Sequence, residues 1–202
     1  MLDKYIVPHL KPVLRNVAKR LQRKGVTADQ VTIAGFVVGM LAVPAMAFGQ
    51  AEIAFLCLVL NRLADGLDGE LARLGTSSDA GSFLDITLDF IFYASFPLGF
   101  ALYDPAQNAL PAAFLIASFV GTGASFLAFS TQAQKRSITS VDFPYKGLYY
   151  LDGLAEGTET IICFVLMCLL PAYFAVIAWL FATLCIFTAI SRVYSGYRTL
   201  RN

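Results

Sequence analysis

Four aspartates stand at helical spacing inside segments that are otherwise apolar enough to enter a lipid bilayer. They are Asp65, Asp68, Asp85 and Asp89. An ionised carboxylate near the centre of a bilayer costs roughly 2.5–3.5 kcal/mol on insertion scales, so four of them require a compensating interaction. Between residues 61 and 89 six acids face two bases, which leaves four negative charges uncompensated. A pair of divalent cations would neutralise this charge most economically, and the sequence therefore predicts a metal site.

The overall composition is that of a polytopic membrane protein with a single domain. Hydrophobic residues make up 57% of the 202 residues, charged residues make up 14%, and the mean hydropathy is +0.66. These values are too apolar for an ordinary soluble fold. The four cysteines lie in apolar stretches without paired spacing, which favours buried thiols over disulfides or metal ligands.

Residues 1–26 have the pattern of an amphipathic helix that lies on the membrane surface. Apolar residues recur at helical spacing, and the basic residues lie off that stripe. Pro8 and Pro12 place the start of the regular helix near Pro12. A basic, apolar-faced helix before a set of spans is typical of an interfacial segment on an anionic leaflet, and no nucleic-acid partner is expected. The bases are Lys4, Lys11, Arg15, Lys19, Arg20, Arg23 and Lys24.

Residues 27–202 predict one all-α membrane domain of six transmembrane helices. Each apolar segment can cross about 30 Å of hydrocarbon with about twenty residues. Gly35 and Gly39 form a small-xxx-small pair that permits close helix packing. The six predicted spans are Ala28–Phe48, Ala51–Arg73, Gly81–Tyr103, Ala109–Thr131, Gly153–Leu170 and Ala172–Tyr194.

The distribution of basic residues predicts the orientation in the membrane. The connections at 49–50, 104–108 and 171 contain no Lys or Arg, whereas both termini and the connection at 132–152 carry basic residues. The positive-inside rule makes the basic side cytoplasmic. Both aspartate runs lie at that end of their spans, so the predicted site faces the cytoplasm.

The helical spacing also predicts that the carboxylates converge. Asp65 and Asp68 share one face of the second span, and Asp85 and Asp89 share one face of the third. The short polar connector at 74–80 makes the two spans antiparallel neighbours. Oxygen ligands that bridge cations suit Mg²⁺ or Mn²⁺ and are typical of phosphoryl transfer.

Other roles for these acids are possible. They could pair with Arg62 and Arg73 to hold helices together, but two bases cannot neutralise six acids. The chain could also be a divalent-cation transporter or a metal-binding scaffold without activity. Clustering of the acids at one side of the membrane disfavours a transport path.

The pattern Asp-x2-Asp-Gly-x2-Ala-Arg, followed by Gly-x3-Asp-x3-Asp, resembles the signature of the CDP-alcohol phosphatidyltransferase family, in particular its short bacterial inner-membrane members. The spacer of seven residues is one shorter than in many members. The segment 27–32 is similar to the Pro-Asn-x-x-Thr motif before the first span of relatives, with Ala28 and Asp29 in place of Pro-Asn. The matched positions are Asp65, Asp68, Gly69, Ala72, Arg73, Gly81, Asp85 and Asp89.

This resemblance implies a phospholipid-synthesis enzyme of the bacterial inner membrane, expected to be a homodimer. It would transfer the phosphatidyl group of a CDP-linked lipid, expected to be CDP-diacylglycerol, to a small polar alcohol and release CMP. Asp89 would also be the general base on the acceptor hydroxyl. Two Mg²⁺ or Mn²⁺ ions would be held by Asp65, Asp68, Asp85 and Asp89. The cytidine diphosphate pocket would be lined by Gly69, Ala72, Arg73 and Gly81.

The identity of the acceptor is left open by the sequence. Lys135, Arg136 and Arg192 lie at the predicted cytoplasmic side and could bind a phosphorylated polyol, as bases at comparable positions do in relatives. They could equally be positive-inside anchors. Glu156 and Glu159 favour serine or an amino alcohol, or are first-turn acids stabilised by the helix dipole. The phosphorylated polyol is slightly favoured.

Overall fold

The computed structural model describes residues 3–75, 78–136 and 155–201, and within these ranges every long element is an α helix. A single 3₁₀ turn, Pro171–Tyr173, precedes the last helix. The helices are α1 (Asp3–Arg23), α2 (Ala28–Met40), α3 (Ala42–Ala47), α4 (Ala51–Leu74), α5 (Asp79–Tyr103), α6 (Pro105–Lys135), α7 (Gly157–Leu169) and α8 (Phe174–Arg201).

Each of the six predicted apolar segments forms helix within the described residues, and the largest difference in an end is at α8, which continues to Arg201 beyond the predicted Tyr194. The first is divided at Leu41, where α2 ends and α3 begins. Pro44 explains the division, because it has no N–H to donate to the carbonyl of Met40 and its ring crowds that carbonyl. At the division, the Leu41 N–H donates at 3.2 Å to the carbonyl of Val38, which is three residues earlier and not four as in an α helix.

Four of the helical stretches are long and apolar enough to cross a membrane. Helix α4 carries six charged side chains, and α7 has only 13 residues, so neither is among them. The charged residues of α4 include the first pair of predicted metal ligands. The four stretches are Ala28–Ala47, Asp79–Tyr103, Pro105–Lys135 and Pro171–Arg201.

An aromatic core packs the helices together along the part of α5 that follows Asp85 and Asp89. Phe92, Phe96 and Phe100 follow one another along α5 and are fully buried. Phe96 stacks on Phe164 of α7 with ring centroids 4.3 Å apart, and Phe100 stacks on Phe174 of α8 at 4.4 Å. Such aromatic pairs contribute about 0.5–1.5 kcal/mol each beyond burial. The rings fill one half of α5, which leaves Asp85 and Asp89 near the other end of the bundle.

Close backbone contact joins α2 to α4. A Cβ added to Gly35 would lie 2.5 Å from Ala64 Cβ, and one added to Gly39 would lie 2.7 Å from Asn61 Nδ2. Only glycine therefore permits this approach. The buried Asn61 amide donates to the Gly35 carbonyl at 3.0 Å and fixes the register of the two helices. This contact places the aspartates of α4 beside α2.

Helix α1 packs against the half of α4 that carries the aspartates. Leu14 fits against Gly66, where an added Cβ would lie 2.8 Å from Leu14 Cδ1. Gln22 Nε2 donates to the Leu74 carbonyl at 3.0 Å, which satisfies a free carbonyl at the end of α4. The helix begins at Asp3 rather than near Pro12. Its position on a membrane surface stays a prediction.

Candidate active site

Three of the four aspartates meet at the junction of α4 and α5. One carboxylate oxygen each of Asp65, Asp68 and Asp85 lies within 4.8 Å of the other two. Asp65 and Asp68 are one helical turn apart on α4, and Asp85 is on the second turn of α5. The predicted convergence of the two helix faces is thus present for these three residues.

The Ser78 side chain fixes where α5 starts. Its Oγ accepts a hydrogen bond from the Gly81 N–H at 3.0 Å, as expected for an N-cap residue. Because α5 starts at Asp79, Asp85 falls on the turn that faces α4. The short connector and the cap together determine the position of Asp85 along the helix axis relative to Asp65 and Asp68 on α4.

The arrangement of these carboxylates calls for a cation. At an effective dielectric constant of about 20, two unit charges 4.8 Å apart repel by roughly 3.5 kcal/mol, and this set contains three such pairs. Asp68 is only 5% exposed, so water offers it little compensation. Oxygen donors without nitrogen or sulfur suit hard ions such as Mg²⁺ or Mn²⁺. The residues present therefore fit a divalent metal.

Thr32 of α2 orients the buried carboxylate. Its Oγ1 lies 2.6 Å from Asp68 Oδ2 and donates to it. The same hydroxyl lies 3.1 Å from the Ala28 carbonyl. Sequence reasoning did not assign Thr32 a role, although it ends the Thr27–Thr32 segment that resembles a family motif. The motif therefore includes Thr32, but the sequence does not indicate that Thr32 contacts Asp68.

Asp89 has a different partner from the other three aspartates. Its Oδ1 accepts from Arg62 Nη2 at 2.8 Å, and Arg62 Nη1 lies 3.8 Å from Asp65 Oδ2. In the described part of the chain, the group of acids within 4.8 Å of one another does not include Asp89. All four aspartates still line one narrow opening, the aspartate cleft, together with Arg62. The sequence analysis pairs the acids as a group with Arg62 and Arg73 to hold helices together, and it does not predict the specific pair of Arg62 with Asp89.

Small residues line a second opening next to the metal-binding set. This glycine cleft, of about 440 Å³, lies between the starts of α2 and α5. A Cβ added to Gly81 would lie 2.9 Å from Asp29 Oδ1 and 3.1 Å from Ser78 Oγ, so a side chain there would occupy the opening. Its lining includes Asp68, Gly69, Ala72, Gly81 and Asp85.

Arg73 lies at the side of the glycine cleft. Its Nη2 would be 3.4 Å from a Cβ on Gly69, and it bonds to the buried Glu70 at 2.6 Å. Glu70 is on the same helix, so this pair does not join two helices. About half of the Arg73 side chain is exposed, which leaves its guanidinium accessible to a bound anion.

A third opening, the aromatic cleft, is lined in part by Phe90 and Tyr93 of α5, close to Asp89 along the helix. It has a volume of about 620 Å³ and combines rings with two buried charged groups. Arg192 Nη1 is 3.4 Å from the Thr122 carbonyl, and its guanidinium lies 5.7 Å from the centre of the Phe126 ring. The lining includes Phe90, Tyr93, Phe119, Phe126, Glu156 and Arg192.

The three predicted acceptor-binding bases do not all line one cleft in the described part of the chain. Arg192 is 7% exposed and lines the aromatic cleft. Lys135 and Arg136 are exposed at the end of α6 and are absent from the lining of that cleft. The connection at 137–154 lies outside the described residues.

Comparison with known proteins gives a consistent assignment. The family model for CDP-alcohol phosphatidyltransferase matches residues 25–191. The inner membrane protein YnjF of Escherichia coli strain K12 is 50% identical over 202 residues, which cover 100% of this chain and 98% of that protein. Archaetidylinositol phosphate synthase of Pyrococcus horikoshii is 39% identical over 103 residues, which cover 50% of this chain and 54% of that enzyme.

Solved structures share the fold. Phosphatidylinositol phosphate synthase of Mycobacterium tuberculosis with CDP-DAG bound superposes with a TM-score of 0.68 at 21% identity, covering 92% of this chain and 94% of that one. The same enzyme in complex with manganese and citrate gives a TM-score of 0.69 at 22% identity, over 91% and 88% of the two chains. The family model and the full-length relative show that this chain belongs to the CDP-alcohol phosphatidyltransferase family.

Proposed function

We propose that this protein transfers the phosphatidyl group of CDP-diacylglycerol to the hydroxyl of a small polar acceptor and releases CMP. The observation that carries the proposal is the set of three carboxylates within 4.8 Å beside a cleft lined by Gly69, Ala72 and Gly81. A family relative that is a synthase of an inositol phosphate lipid supports the same type of reaction.

Asp65, Asp68 and Asp85 are the residues that would hold a divalent metal. Their oxygens are close, their donor chemistry fits Mg²⁺ or Mn²⁺, and Thr32 fixes one of them. When bound there, the metal would supply positive charge that stabilises the pyrophosphate oxygens of the donor and the departing CMP. The presence of two ions, and the use of Asp89 as a ligand, stay predictions from the sequence.

Asp89 would be the general base. The acceptor hydroxyl gives its proton to the Asp89 carboxylate as the acceptor oxygen forms its bond to the transferred phosphorus. The bond from that phosphorus to the CMP oxygen breaks, and CMP leaves with the electron pair. Asp89 lines the aspartate cleft and is 31% exposed, so its carboxylate is accessible from outside the protein.

The glycine cleft would hold the cytidine diphosphate group. Gly69, Ala72 and Gly81 leave the backbone accessible, and Arg73 at its side offers a guanidinium to a phosphate oxygen. Asp29 also lines this cleft, at a position where relatives have Asn, and its charge would disfavour a phosphate placed directly beside it. We therefore expect the phosphates to lie nearer Gly69 and Arg73.

The aromatic cleft is our proposal for the acceptor site. Arg192 supports an acceptor with a phosphate group, whereas Glu156 in the same lining would favour an amino group. We retain the phosphorylated polyol because Arg192 is buried and its guanidinium is always charged. We assign Lys135 and Arg136 to anchoring at the membrane surface.

We further propose the membrane arrangement that the sequence predicts. Residues 27–202 form six spans, with α4 and α7 as the two that are less apolar or shorter, and residues 1–26 lie on the cytoplasmic surface. The N-terminus, the C-terminus and the aspartate cleft face the cytoplasm of a bacterial inner membrane. The full-length relative named as an inner membrane protein supports this location. The homodimer follows from the family resemblance.

The test is a transfer assay with purified protein in detergent. Protein is incubated with CDP-diacylglycerol, Mn²⁺ and each of glycerol 3-phosphate, inositol phosphate, inositol, serine and ethanolamine, and lipid products and CMP are quantified by mass spectrometry. We expect one new phospholipid with an equal amount of CMP, and neither product after chelation. A folded protein that forms no product with any acceptor, or equal product in excess chelator, would refute the proposal. The first result would favour a transporter or a scaffold, whereas the second would show transfer that does not need the divalent metal.

A further inference from the structure

We propose that Arg62 is a positioning residue that keeps Asp89 out of the metal-binding set and holds it for the acceptor hydroxyl. Its guanidinium, rather than a metal ion, then balances the charge of Asp89. This inference rests on the proposed function, in which Asp65, Asp68 and Asp85 hold the metal, and it argues against the predicted use of Asp89 as a metal ligand.

The contacts of Arg62 divide the four aspartates into two groups. Arg62 Nη2 bonds to Asp89 Oδ1 at 2.8 Å, whereas its nearest approach to Asp65 Oδ2 is 3.8 Å, beyond hydrogen-bond distance. The strong, charge-assisted contact is therefore with Asp89 alone. The remaining three aspartates gather within 4.8 Å.

The guanidinium is fixed by neighbours on α4 and α5, one of which is itself bonded to α2. Arg62 Nε donates to Asn61 Oδ1 at 2.8 Å, and the Asn61 amide is itself bonded to the Gly35 carbonyl of α2. Arg62 Nη1 donates to the Tyr93 hydroxyl of α5 at 2.8 Å. The planar fork has five donors, and these partners leave it little rotational freedom.

Two aromatic rings cover the same group. The Arg62 Cζ atom lies 5.2 Å from the ring centres of both Phe92 and Tyr93. The side chain is only 15% exposed. Cation–π contacts of this kind are worth more when they are desolvated, so the rings stabilise a permanent positive charge at this position.

The network also connects Asp89 to the proposed acceptor site. Tyr93 lines the aromatic cleft, and Asp89 lines the aspartate cleft. Arg62 bonds to both residues. Through Arg62, Asp89 is therefore connected to Tyr93, a residue of the proposed acceptor site.

The test is Mn²⁺ binding to purified, substrate-free protein, measured by the electron paramagnetic resonance signal of free Mn²⁺. In Arg62→Gln the positive charge beside the aspartates is lost and Asp89 is released. We expect Mn²⁺ affinity to rise on the order of tenfold and the bound amount to rise by one equivalent, because one repelling unit charge is removed. A purely structural role predicts the opposite sign, since a loosened site binds metal less well. Unchanged or weaker binding in a folded Arg62→Gln protein would therefore overturn the inference.

Two conservative variants keep the inference testable if Arg62→Gln does not fold. Arg62→Lys retains the charge and should bind Mn²⁺ as the wild type does, while its turnover number falls at least tenfold because a point charge cannot orient Asp89. Tyr93→Phe retains every charge and should lower the turnover number several-fold with Mn²⁺ affinity unchanged. Full turnover in both variants would overturn the inference.

The two proposals fail in different ways. If the wild type makes no phospholipid, the proposed function fails, while the Mn²⁺ comparison still tests the division of the aspartates. If the wild type is active but Arg62→Gln binds Mn²⁺ no more tightly, only the role of Arg62 fails.

Discussion

Replacing Asp85 by Asn gives the sharpest test of the carboxylate set, because the expected change in stability has opposite signs with and without metal. Asp85 lies within 4.8 Å of both Asp65 and Asp68. The Asp85→Asn change removes two of the three repulsions and leaves the hydrogen bond from Thr32 to Asp68 untouched. Without metal the variant should therefore be more stable than the wild type.

The magnitude follows from the geometry. Each repulsion is worth roughly 3.5 kcal/mol at 4.8 Å and an effective dielectric constant of about 20, so the two together amount to roughly 7 kcal/mol before screening. Water at the mouth of the cleft and the Arg62 charge screen most of this. We expect a net gain of about 2 kcal/mol, which raises the melting temperature in chelator by about 4–8 °C for a chain of this size.

The assay is thermal unfolding in detergent, in excess chelator and in saturating Mn²⁺. Mn²⁺ should stabilise the wild type, because a ligand that binds only the folded state stabilises it by mass action. The same addition should stabilise Asp85→Asn far less, and its transferase activity should fall at least a hundredfold. Asp79→Asn is the matched control, since Asp79 is an exposed first-turn residue of the same helix. Its response to Mn²⁺ should equal that of the wild type.

Two results would refute the reasoning. One is an Asp85→Asn protein that is less stable than the wild type in chelator, which would mean that the carboxylates do not repel one another strongly. The other is a Mn²⁺ stabilisation of this variant as large as that of the wild type, which would place the metal elsewhere.

Three further predictions concern other residues of the site. Asp89→Asn should abolish transfer with folding and donor binding retained, since Asn is nearly isosteric but cannot take a proton; measurable turnover by mass spectrometry would contradict this role. Thr32→Val removes a charge-assisted hydrogen bond to Asp68 worth about 1.5–3 kcal/mol, so Mn²⁺ affinity should fall about tenfold or more in a titration, and an unchanged affinity would contradict it. Gly81→Ala places a methyl group in the glycine cleft, where the exposed Asp29 can move aside; the KM for CDP-diacylglycerol should therefore rise several-fold at nearly unchanged melting temperature, and an unchanged KM would argue against nucleotide binding there.

Repulsion among the carboxylates of the site destabilises the metal-free protein, and packing in the rest of the bundle must offset it. Phe92, Phe96 and Phe100 on the same helix as Asp85 and Asp89 form a buried aromatic core directly beyond the carboxylates. Packing of this kind is the main source of helix association in a bilayer, where lipid tails are as apolar as the side chains. The rigid half of α5 thereby holds the charged half in place without metal.

The sequence alone determined the local elements and the convergence of three aspartates. Side chains three or four residues apart share a helix face, so Asp65 and Asp68 had to lie together on α4. The short connector then brought Asp85 to the same level on α5. The division of the first span at Leu41 was not predicted, although Pro44 lies inside the predicted segment.

Only the tertiary structure decided the partner of each charge. Arg62 is three residues from Asp65 on one helix, yet it bonds to Asp89 across the interface, because Tyr93 and Asn61 direct its guanidinium toward α5. In the same way Lys135 and Arg192 share the predicted cytoplasmic side, but one is exposed and the other is buried in the aromatic cleft. Helical periodicity specifies a face, whereas the rotation and contact of neighbouring helices specify which side chains meet on it.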